Sequence, residues 1–478
     1  MSFLEWITNI NNSVNGFVWG WVGLILLLGT GVLATVVTKV FQISHLKHWW
    51  NNTIGSLFKK EVIGHTKEKG AISPFQALCT ALAATVGTGN ISGVAAAICV
   101  GGAGAVFWMW VAAFLGMMTN YSENVLGIYF RRKNEKGEWS GGAMYYLRDG
   151  LGAKKNCKWI GKVLAVLFCI FTMLASFGIG SMGQVNKIVA NVAAAFDVSA
   201  LSSIKVFSGV SLYNIILGAV IMVLVALITL GGLKRIAAVA EKIIPFMVVL
   251  FVAGSIVVIG FNYANILPAL KAIFVNAFKP EAFVGGTLGS AIMLAAQQGF
   301  KRGVFSNEAG LGTSAMAHSV AVDADPKAQG LYGIFEVFVD TILLCTLTGL
   351  TILCSGVKIN YGTSASTELI SNALNIRMGN FGNICLSIMM CLFAFSSIVG
   401  WALYGRIIVK SIFGDFGVKI FTFIYPLCCI LGAVLGSNIV WRLAALCNGI
   451  MLCTNLTAVL LLTQKFKPYL KKEKKIEN

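Results

Sequence analysis

The stretch Val86-Gly87-Thr88-Gly89-Asn90-Ile91-Ser92-Gly93 places three glycines and an asparagine inside the apolar segment 74–99. Glycine costs ~1 kcal/mol relative to alanine in a helix, and it leaves backbone groups accessible where a helix unwinds. In hydrocarbon, an unwound stretch is tolerated only where it lines a protein cavity. We therefore predict a membrane helix that is broken at Gly87–Asn90. The alternative is that Gly87, Gly89 and Gly93 form a small-residue packing face between helices.

The composition around this stretch predicts an all-α polytopic membrane protein. Of the 478 residues, 57% are hydrophobic and 12% are charged, whereas a soluble domain has roughly 25% charged residues. Crossing ~30 Å of hydrocarbon takes about 20 apolar residues. We predict about eleven transmembrane helices, at 17–41, 74–99, 103–130, 160–191, 211–230, 236–260, 282–300, 329–353, 381–408, 417–435 and 438–463.

The net charge of +18 is distributed among the loops between these segments. Most of the basic residues fall in alternate loops, which is the pattern of the positive-inside rule and not of a nucleic-acid-binding patch. We assign Lys301 and Arg302 to this basic, cytoplasmic set and Lys187 to the opposite set. The rule then predicts a multi-pass protein of the cell membrane with its N-terminus outside and its C-terminus in the cytoplasm.

A second glycine-rich stretch, Gly285-Gly286-Thr287-Leu288-Gly289-Ser290, lies in the seventh predicted span. Secondary transporters are often two halves of opposite topology, each opening with an interrupted span. Each glycine-rich stretch lies in the first of a group of five predicted spans, so we predict a 5+5 inverted repeat. The predicted units are 1–72 (an extra N-terminal helix with an amphipathic connector), 73–261 (first half), 262–464 (second half) and 465–478 (a basic tail).

Polar side chains in apolar spans are candidates for contacts with a substrate or an ion. Gln184 is one, with an interhelical hydrogen bond as the alternative. In the ninth span Ser396 and Ser397 offer hydroxyl oxygens suited to Na⁺, and Trp401 lies one helical turn beyond Ser397. The alternative for both serines is back-bonding to the preceding turn.

Acidic residues near the spans leave a proton as an alternative coupling ion. Asp340 is the deepest of them along the chain, and Glu123 is interpreted as an ion pair with Arg131. The segment 299–312 is interpreted as a connector or gate, with Ser306 or Asn307 capping a short helix at the cytoplasmic surface. The sequence has no nucleotide-binding loop and no recognisable catalytic constellation, which argues against an ATPase or a membrane enzyme. An ion channel is disfavoured because no ring of charges is recognisable.

Four motifs resemble the alanine or glycine:cation symporter family. They are Ala84–Gly93, Gly104-Ala105-Val106-Phe107-Trp108-Met109-Trp110, Gly141-Gly142-Ala143-Met144-Tyr145-Tyr146-Leu147 and Arg302-Gly303-Val304-Phe305-Ser306-Asn307-Glu308-Ala309-Gly310-Leu311-Gly312. The resemblance implies a leucine-transporter-type fold with one extra N-terminal helix, and Na⁺-driven uptake of a small neutral amino acid. It places Thr88, Gly89 and Asn90 at the substrate, with Gln184, Thr287, Ser397 and Trp401 on further substrate positions. It also implies a Na⁺ site of the carbonyls of Ala83, Val86 and Phe393 with the hydroxyls of Ser396 and Ser397.

Thr287 departs from the family pattern. Alanine-transporting relatives resemble Gly-Phe-Ala-Gly where this chain has Gly286-Thr287-Leu288-Gly289. A threonine leaves more room than an aromatic ring and adds a hydrogen-bonding group. We therefore expect alanine, glycine or a larger neutral amino acid such as glutamine to be accepted. The sequence does not determine the Na⁺ stoichiometry, the enantiomer or the oligomeric state.

Overall fold

The computed structural model describes residues 3–56, 64, 66, 68, 70–207, 209–279, 288–363, 367–435 and 437–470. These residues are overwhelmingly helical, with two short antiparallel hairpins, Arg132–Lys133 with Trp139–Ser140 and Lys205–Phe207 with Val210–Ser211. The α-helices are Phe3–Phe17, Gly23–Val37, Phe41–Ser44, Leu46–Asn52, Pro74–Thr85, Val94–Gly101, Gly104–Tyr129, Ala143–Tyr145, Lys158–Phe177, Gly183–Ala195, Ser199–Ser203, Leu212–Leu230, Gly232–Phe261, Ile266–Phe278, Leu288–Asn307, Ser314–Ser319, Pro326–Val337, Thr346–Ser355, Thr367–Met378, Asn380–Val434, Ser437–Leu461 and Thr463–Phe466. The π-helices are Val18–Val22, Gly89–Gly93, Tyr146–Leu151, Gly178–Met182 and Phe338–Cys345, and the 3₁₀ helices are Ile54–Ser56, Tyr263–Asn265 and Lys467–Leu470.

Seven helices of the described chain are long and apolar enough to cross a membrane, or eight if the bent pair Pro74–Thr85 and Gly89–Gly101 counts as one span. Asn380–Val434 covers two of the predicted spans. A straight helix of its 55 residues would measure ~80 Å, far more than a bilayer. It breaks at Gly414, whose φ of 63° is not helical. The number eleven stays a prediction.

Burial separates an inner bundle from an outer layer of helices. The first half of the broken helix and the segment Gly104–Tyr129 are almost entirely buried. The outer helices instead expose large apolar side chains, such as Leu230 (71% exposed), Phe246 (61%) and Phe423 (71%). Water would not favour such a surface, whereas lipid would. The pattern therefore indicates a protein surrounded by a bilayer.

The first break occurs where the sequence predicts it. Pro74–Thr85 starts with a capping box, in which Ser73 and Gln76 bond to each other's backbone N–H groups. It ends at Val86, whose backbone is extended (φ −74°, ψ 92°). The chain resumes a helical path at Gly89 after a 47° bend.

The predicted second break is only partly testable, because residues 280–287 lie outside the described residues. Gly289 and Ser290 are helical, within Leu288–Asn307. Within the described residues, an interruption lies at 308–313, where Glu308, Gly310 and Gly312 have positive φ angles of 54°, 100° and 74°. The helix Ser314–Ser319 follows it. The glycines that interrupt this segment are therefore those of the motif that ends at Gly312. A break at 285–287 stays a prediction.

The segment 299–312 is not a surface connector, so that interpretation is wrong. Ser306 and Asn307 are the last residues of a helix and do not cap the start of one. Both are buried, as are Glu308 and the helix that follows. The polarity of this segment suggested exposure to water, but its polar groups are bonded inside the bundle. For example, Asn307 Nδ2 donates to Thr341 Oγ1 at 3.0 Å.

Candidate functional site

A cavity of about 440 Å³ lies beside the first break. This size is within the range of ~300–1,000 Å³ that is usual for small-molecule sites. Its walls come from the broken helix, Gly183–Ala195, Leu288–Asn307, the first part of Asn380–Val434 and the helix that carries Trp441. Thr88, Gly89, Gln184, Ser397 and Trp401 are among the residues that line it. Five of the seven predicted substrate residues therefore share one cavity.

Thr88 and Gln184 link the break to the neighbouring helix across this cavity. Thr88 Oγ1 donates to Gln184 Oε1 at 3.3 Å, and both residues are buried. Gln184 thus makes the interhelical hydrogen bond of the alternative interpretation and also lines the cavity. The Thr88 N–H has no hydrogen-bond acceptor among the described residues. The N-terminal end of the half-helix that begins at Gly89 also faces the cavity, and such an end favours a negative charge.

Asn90 does not line the cavity, and its side chain is used inside the protein. Its Oδ1 accepts the Gly87 N–H at 2.8 Å, and its Nδ2 donates to Asp340 Oδ1 at 2.6 Å and to the Asp340 carbonyl at 3.0 Å. Thr348 Oγ1 donates to the Asn90 carbonyl at 2.8 Å. Asn90 therefore stabilises the unwound backbone directly, and its contact with a substrate stays a prediction.

The residues of the predicted cation site lie together. Ser396 Oγ is 3.3 Å from the Val86 carbonyl oxygen and 2.9 Å from that of Phe393, and Ser397 Oγ is 3.0 Å from the same Phe393 oxygen. Both serines therefore back-bond to the preceding turn, as the alternative interpretation stated. The same contacts bring hydroxyl and carbonyl oxygens, which are hard ligands, to one point beside the break.

Two glycines make this close approach possible. A Cβ on Gly87 would lie 2.5 Å from Ser397 Oγ, and a Cβ on Gly400 would lie 2.5 Å from the Ala84 nitrogen and 2.9 Å from the Ala83 carbonyl carbon. Real Cβ atoms do not approach other heavy atoms so closely. The broken helix and the helix that carries the two serines can therefore pack this closely because both positions are glycine. This contact brings Ala83 next to the serine-bearing helix.

Trp401 and Glu308 form part of the cavity wall next to the second interruption. The Trp401 indole is fully buried, and its Cβ would be 2.4 Å from a Cβ on Gly180. Glu308 Oε2 accepts a hydrogen bond from Thr313 Oγ1 at 2.7 Å. The sequence interpretation missed Glu308, because its position after Ser306 and Asn307 suggested the first turn of a short surface helix. The sequence did contain a signal for a second break. Two glycines, Gly310 and Gly312, lie shortly after Glu308, and two glycines, Gly87 and Gly89, flank Thr88 at the first break.

Three basic residues also line the cavity, although the charge pattern of the sequence placed one of them on the opposite side of the membrane from the other two. Lys301 and Arg302 lie within the helix Leu288–Asn307 and not beyond its end. They share the cavity with Lys187, which the charge analysis put on the opposite side of the membrane. The two assignments cannot both be right. The predicted span was ended at residue 300 on account of these charges, but the helix continues to Asn307.

Two other predictions on polar residues have different outcomes. Thr287 lies outside the described residues. Glu123 does not pair with Arg131: Asn455 Nδ2 donates to Glu123 Oε1, whereas Arg131 donates to the carbonyls of Ser319, Ala321 and Ala324. Glu123 is therefore held by an amide, and Arg131 by the backbone at the end of Ser314–Ser319.

Three π-helical turns lie at or near the site, namely Gly89–Gly93, Gly178–Met182 and Phe338–Cys345. Such turns are rare and are frequent at functional sites, because they redirect side chains and free backbone groups. Here Gly89–Gly93 directly follows Thr88, Gly178–Met182 precedes Gln184, and Phe338–Cys345 contains Asp340. Two of these turns, Gly89–Gly93 and Gly178–Met182, contribute residues to the cavity wall.

A broken helix, a buried polar cavity and an apolar outer surface together define a membrane transporter and not an enzyme. The chain belongs to the sodium:alanine symporter family, whose profile matches residues 4–477. It is 39% identical over 455 residues to the sodium/alanine symporter AgcS of Methanococcus maripaludis, covering 95% of this chain and 94% of that one. An uncharacterized transporter of Haemophilus influenzae is also 39% identical, over 456 residues, with coverage of 95% and 93%.

Two further similarities concern a more distant relative and the fold. The probable sodium/glutamine symporter GlnT of Bacillus subtilis is 33% identical over 466 residues, covering 96% of this chain and 89% of that one. The crystal structure of MhsT in complex with L-phenylalanine superposes with a TM-score of 0.59 at 16% identity, covering 86% of this chain and 94% of that chain. At this identity the structural similarity concerns the fold alone.

Proposed function

We propose that this protein imports a small neutral amino acid together with Na⁺ by alternating access, with the amino acid held at the break of the first broken helix. The observation that carries the proposal is the cavity itself, in which the end of a half-helix, an amide and a carboxylate converge. Relatives named as sodium/alanine and probable sodium/glutamine symporters support this class of substrate. Alanine, glycine and glutamine are the candidates.

The two charged ends of an amino acid match two parts of this cavity. Its carboxylate binds the Thr88 N–H and hydroxyl at the positive end of the half-helix that begins at Gly89. Its ammonium group binds on the side where the Glu308 carboxylate and Gln184 Oε1 lie. Trp401 closes the wall between them, and Thr287 determines how large a side chain fits.

Na⁺ binds where Ser396 and Ser397 meet the first break. Ser396 Oγ lies within 3.3 Å of the carbonyl oxygens of both Val86 and Phe393, and Ser397 Oγ lies 3.0 Å from that of Phe393. The Ala83 carbonyl completes the set. When Na⁺ binds, each hydroxyl oxygen directs a lone pair at the ion. The hydrogen bond from each hydroxyl to the Phe393 carbonyl is then lost. Because the same backbone turn serves both ligands, Na⁺ and the amino acid stabilise the same conformation, which couples them.

Proton coupling through Asp340 is the alternative, and one observation favours it. Asp340 is fully buried, and its carboxylate is bonded by Asn90 and by Thr341 Oγ1 at 2.8 Å. Among the described residues it has no basic partner within 4.0 Å. A buried carboxylate without a cation is a plausible proton carrier in a membrane. It is second to Na⁺ because relatives are named as sodium symporters, and because Ser397 lines the cavity whereas Asp340 does not.

The arrangement of the chain in the membrane follows from the same proposal. The interruptions at 86–88 and 308–313 open two halves of a 5+5 inverted repeat, 73–261 and 262–464, after the N-terminal unit 1–72 and before the tail 465–478. The N-terminus is outside and the C-terminus is in the cytoplasm of the cell. Lys187, Lys301 and Arg302 then lie together on the outer side of the cavity.

Uptake into proteoliposomes tests the proposal. Labelled alanine, glycine and glutamine are measured with an inward Na⁺ gradient, and with choline replacing Na⁺ at the same pH on both sides. We expect Na⁺ to stimulate the uptake of at least one of them, and Thr88→Val to abolish that stimulation. A pH gradient that drives uptake in choline would favour coupling through Asp340, and no stimulation by either ion would refute the proposal.

A further inference from the structure

The cavity wall contains a cluster of like charges, Lys187, Lys301 and Arg302, which we call the basic cluster. Lys187 lies on Gly183–Ala195, and the other two lie on Leu288–Asn307. Arg302 is close enough to repel both lysines electrostatically. Like charges that are held together destabilise the protein unless an anion or water compensates them.

No carboxylate of the described residues neutralises the basic cluster. None lies within 4.0 Å of its three side chains. Glu308 lines the same cavity, but its Oε2 is bonded to Thr313. Arg302 Nε is buried and lacks a hydrogen-bond partner within the part of the chain that the structure describes. Buried guanidinium N–H groups are nearly always paired, so an unpaired one beside a cavity indicates a place for an acceptor.

Aromatic rings fix the geometry of this part of the cavity. The Lys187 ammonium lies 5.9 Å from the centre of the Trp441 ring, and Trp441 packs against Phe305 at 6.5 Å. Phe305 is less than one turn from Arg302 on the same helix. Phe305 and Trp441 line the same cavity as the basic cluster, and apolar surroundings strengthen the attraction between a cation and an anion.

We propose that the basic cluster is an anion subsite that receives the carboxylate of the incoming amino acid before it reaches Thr88. The proposal rests on the proposed function, because the subsite and the break share one cavity. An Arg fork with a neighbouring ammonium group suits a planar carboxylate. Cations at the mouth of a cleft also raise the rate of capture of an anionic group. Chloride has the same charge and is the other source of an anion for this subsite.

The test is the kinetics of uptake in proteoliposomes at constant Na⁺, for Lys187→Gln, Arg302→Gln and Arg302→Lys. The matched control is Lys271→Gln, since Lys271 is an exposed lysine on Ile266–Phe278, outside the cavity. We expect the two glutamine variants to raise KM about 3- to 10-fold with little change in the maximal rate. Arg302→Lys should recover part of the loss, and the control should match the wild type.

Ionic strength and the choice of anion distinguish the sources. The KM difference should shrink when choline methanesulfonate raises the ionic strength, because screening weakens steering. If replacing chloride by methanesulfonate at constant ionic strength raises the wild-type KM but not that of the variants, the subsite belongs to chloride and the carboxylate assignment is overturned.

The remaining outcomes are equally decisive. Glutamine variants with the KM of the control refute the subsite while leaving the proposed function intact. A wild type whose uptake is driven neither by Na⁺ nor by a pH gradient refutes both. If Arg302→Gln does not yield a monodisperse protein, Lys187→Gln decides, because Lys187 is on a different helix and only partly buried.

Discussion

Asn90 Nδ2 donates to Asp340 Oδ1 at 2.6 Å, across 250 residues of chain. Together with the bond from the Gly87 N–H to Asn90 Oδ1, this contact connects the unwound backbone of the first break to the π-helical turn Phe338–Cys345. A helix that is broken inside a membrane must have its freed backbone groups satisfied by protein. The Asn90 side chain accepts the hydrogen bond of one such group, the Gly87 N–H. Asn90 is itself held in place by Asp340, which lies in the second half of the chain.

The first prediction concerns the stability of this break. Asn90→Ala removes the acceptor of the Gly87 N–H and the donor to Asp340 Oδ1, at a cost of about 1–3 kcal/mol for each buried group that loses its bond. We expect a lower unfolding temperature in detergent and little or no uptake. Thr351→Val is the control, because Thr351 is buried but its hydroxyl has no hydrogen-bond partner in the described ranges of the chain. A thermal midpoint for Asn90→Ala equal to that of the control would show that the break does not depend on this amide.

The second prediction concerns Na⁺ affinity. Ser396→Ala and Ser397→Ala each remove one oxygen ligand, worth about 1 kcal/mol, so each should raise the Na⁺ concentration for half-maximal uptake about 5-fold. Ser411→Ala is matched to them, since Ser411 lies on the same helix and back-bonds to the Ile408 carbonyl at 2.8 Å, outside the cavity. Equal Na⁺ dependence in all three variants would rule out the serine site.

The third prediction concerns the size of the amino acid. Thr287→Phe restores the aromatic residue of the alanine-transporting pattern, and its bulk should lower glutamine uptake relative to alanine uptake several-fold. Competition between the two labelled amino acids measures this ratio directly, and Thr287→Ser provides a control that keeps the hydroxyl. An unchanged ratio in Thr287→Phe would show that Thr287 does not limit the pocket.

The fourth prediction concerns the hairpin between residues 131 and 140. Glu138 accepts hydrogen bonds from Lys410 and from Asn134 Nδ2 at 2.9 Å. The Lys410 ammonium lowers the pKa of Glu138 below its ordinary value. A depressed pKa means that the pair stabilises the hairpin at every pH above the ordinary value of about 4.3, and that this stabilisation is lost as the pH falls through the lower folded-state pKa.

Tryptic cleavage within this hairpin measures the effect of that pair. At neutral pH, Glu138→Gln should speed cleavage several-fold relative to wild type, because the neutral amide binds Lys410 only weakly. Glu135→Gln is the control, since Glu135 lies in the same hairpin and forms no ion pair within 4.0 Å among the described residues. Wild-type cleavage, normalised to a peptide substrate, should not change between pH 8 and pH 6. A rise over that range would contradict the depressed pKa of Glu138.

Residues within one stretch of sequence were predicted better than contacts between stretches. The break at Gly87–Asn90 was predictable because glycine acts locally on the helix that contains it. The grouping of Val86, Phe393, Ser396 and Ser397 was implied by resemblance, and the structure brings these residues together. The inner role of Asn90 was not predictable, since its partner Asp340 is 250 residues away.

Charge was the least reliable guide to depth in the membrane. Lys301 and Arg302 suggested the end of a span, and the polar residues up to Gly312 suggested a surface connector. Both inferences assumed that polar side chains seek water. In this protein Lys301 and Arg302 line a cavity within the length of a helix, and hydrogen bonds inside the bundle satisfy Asn307 and Glu308. A linear pattern does not reveal such partners.

By itself the sequence determined that this chain is a helical membrane protein, that it belongs to a symporter family, and that one helix breaks at Gly87–Asn90. These properties follow from local composition, from the cost of glycine in a helix and from motifs that are contiguous in the chain. Only the tertiary structure decided that the second interruption lies at 308–313 and that Glu308, Lys187 and Arg302 share the cavity with Thr88. Those facts depend on which helices touch, and that is set by packing between distant residues.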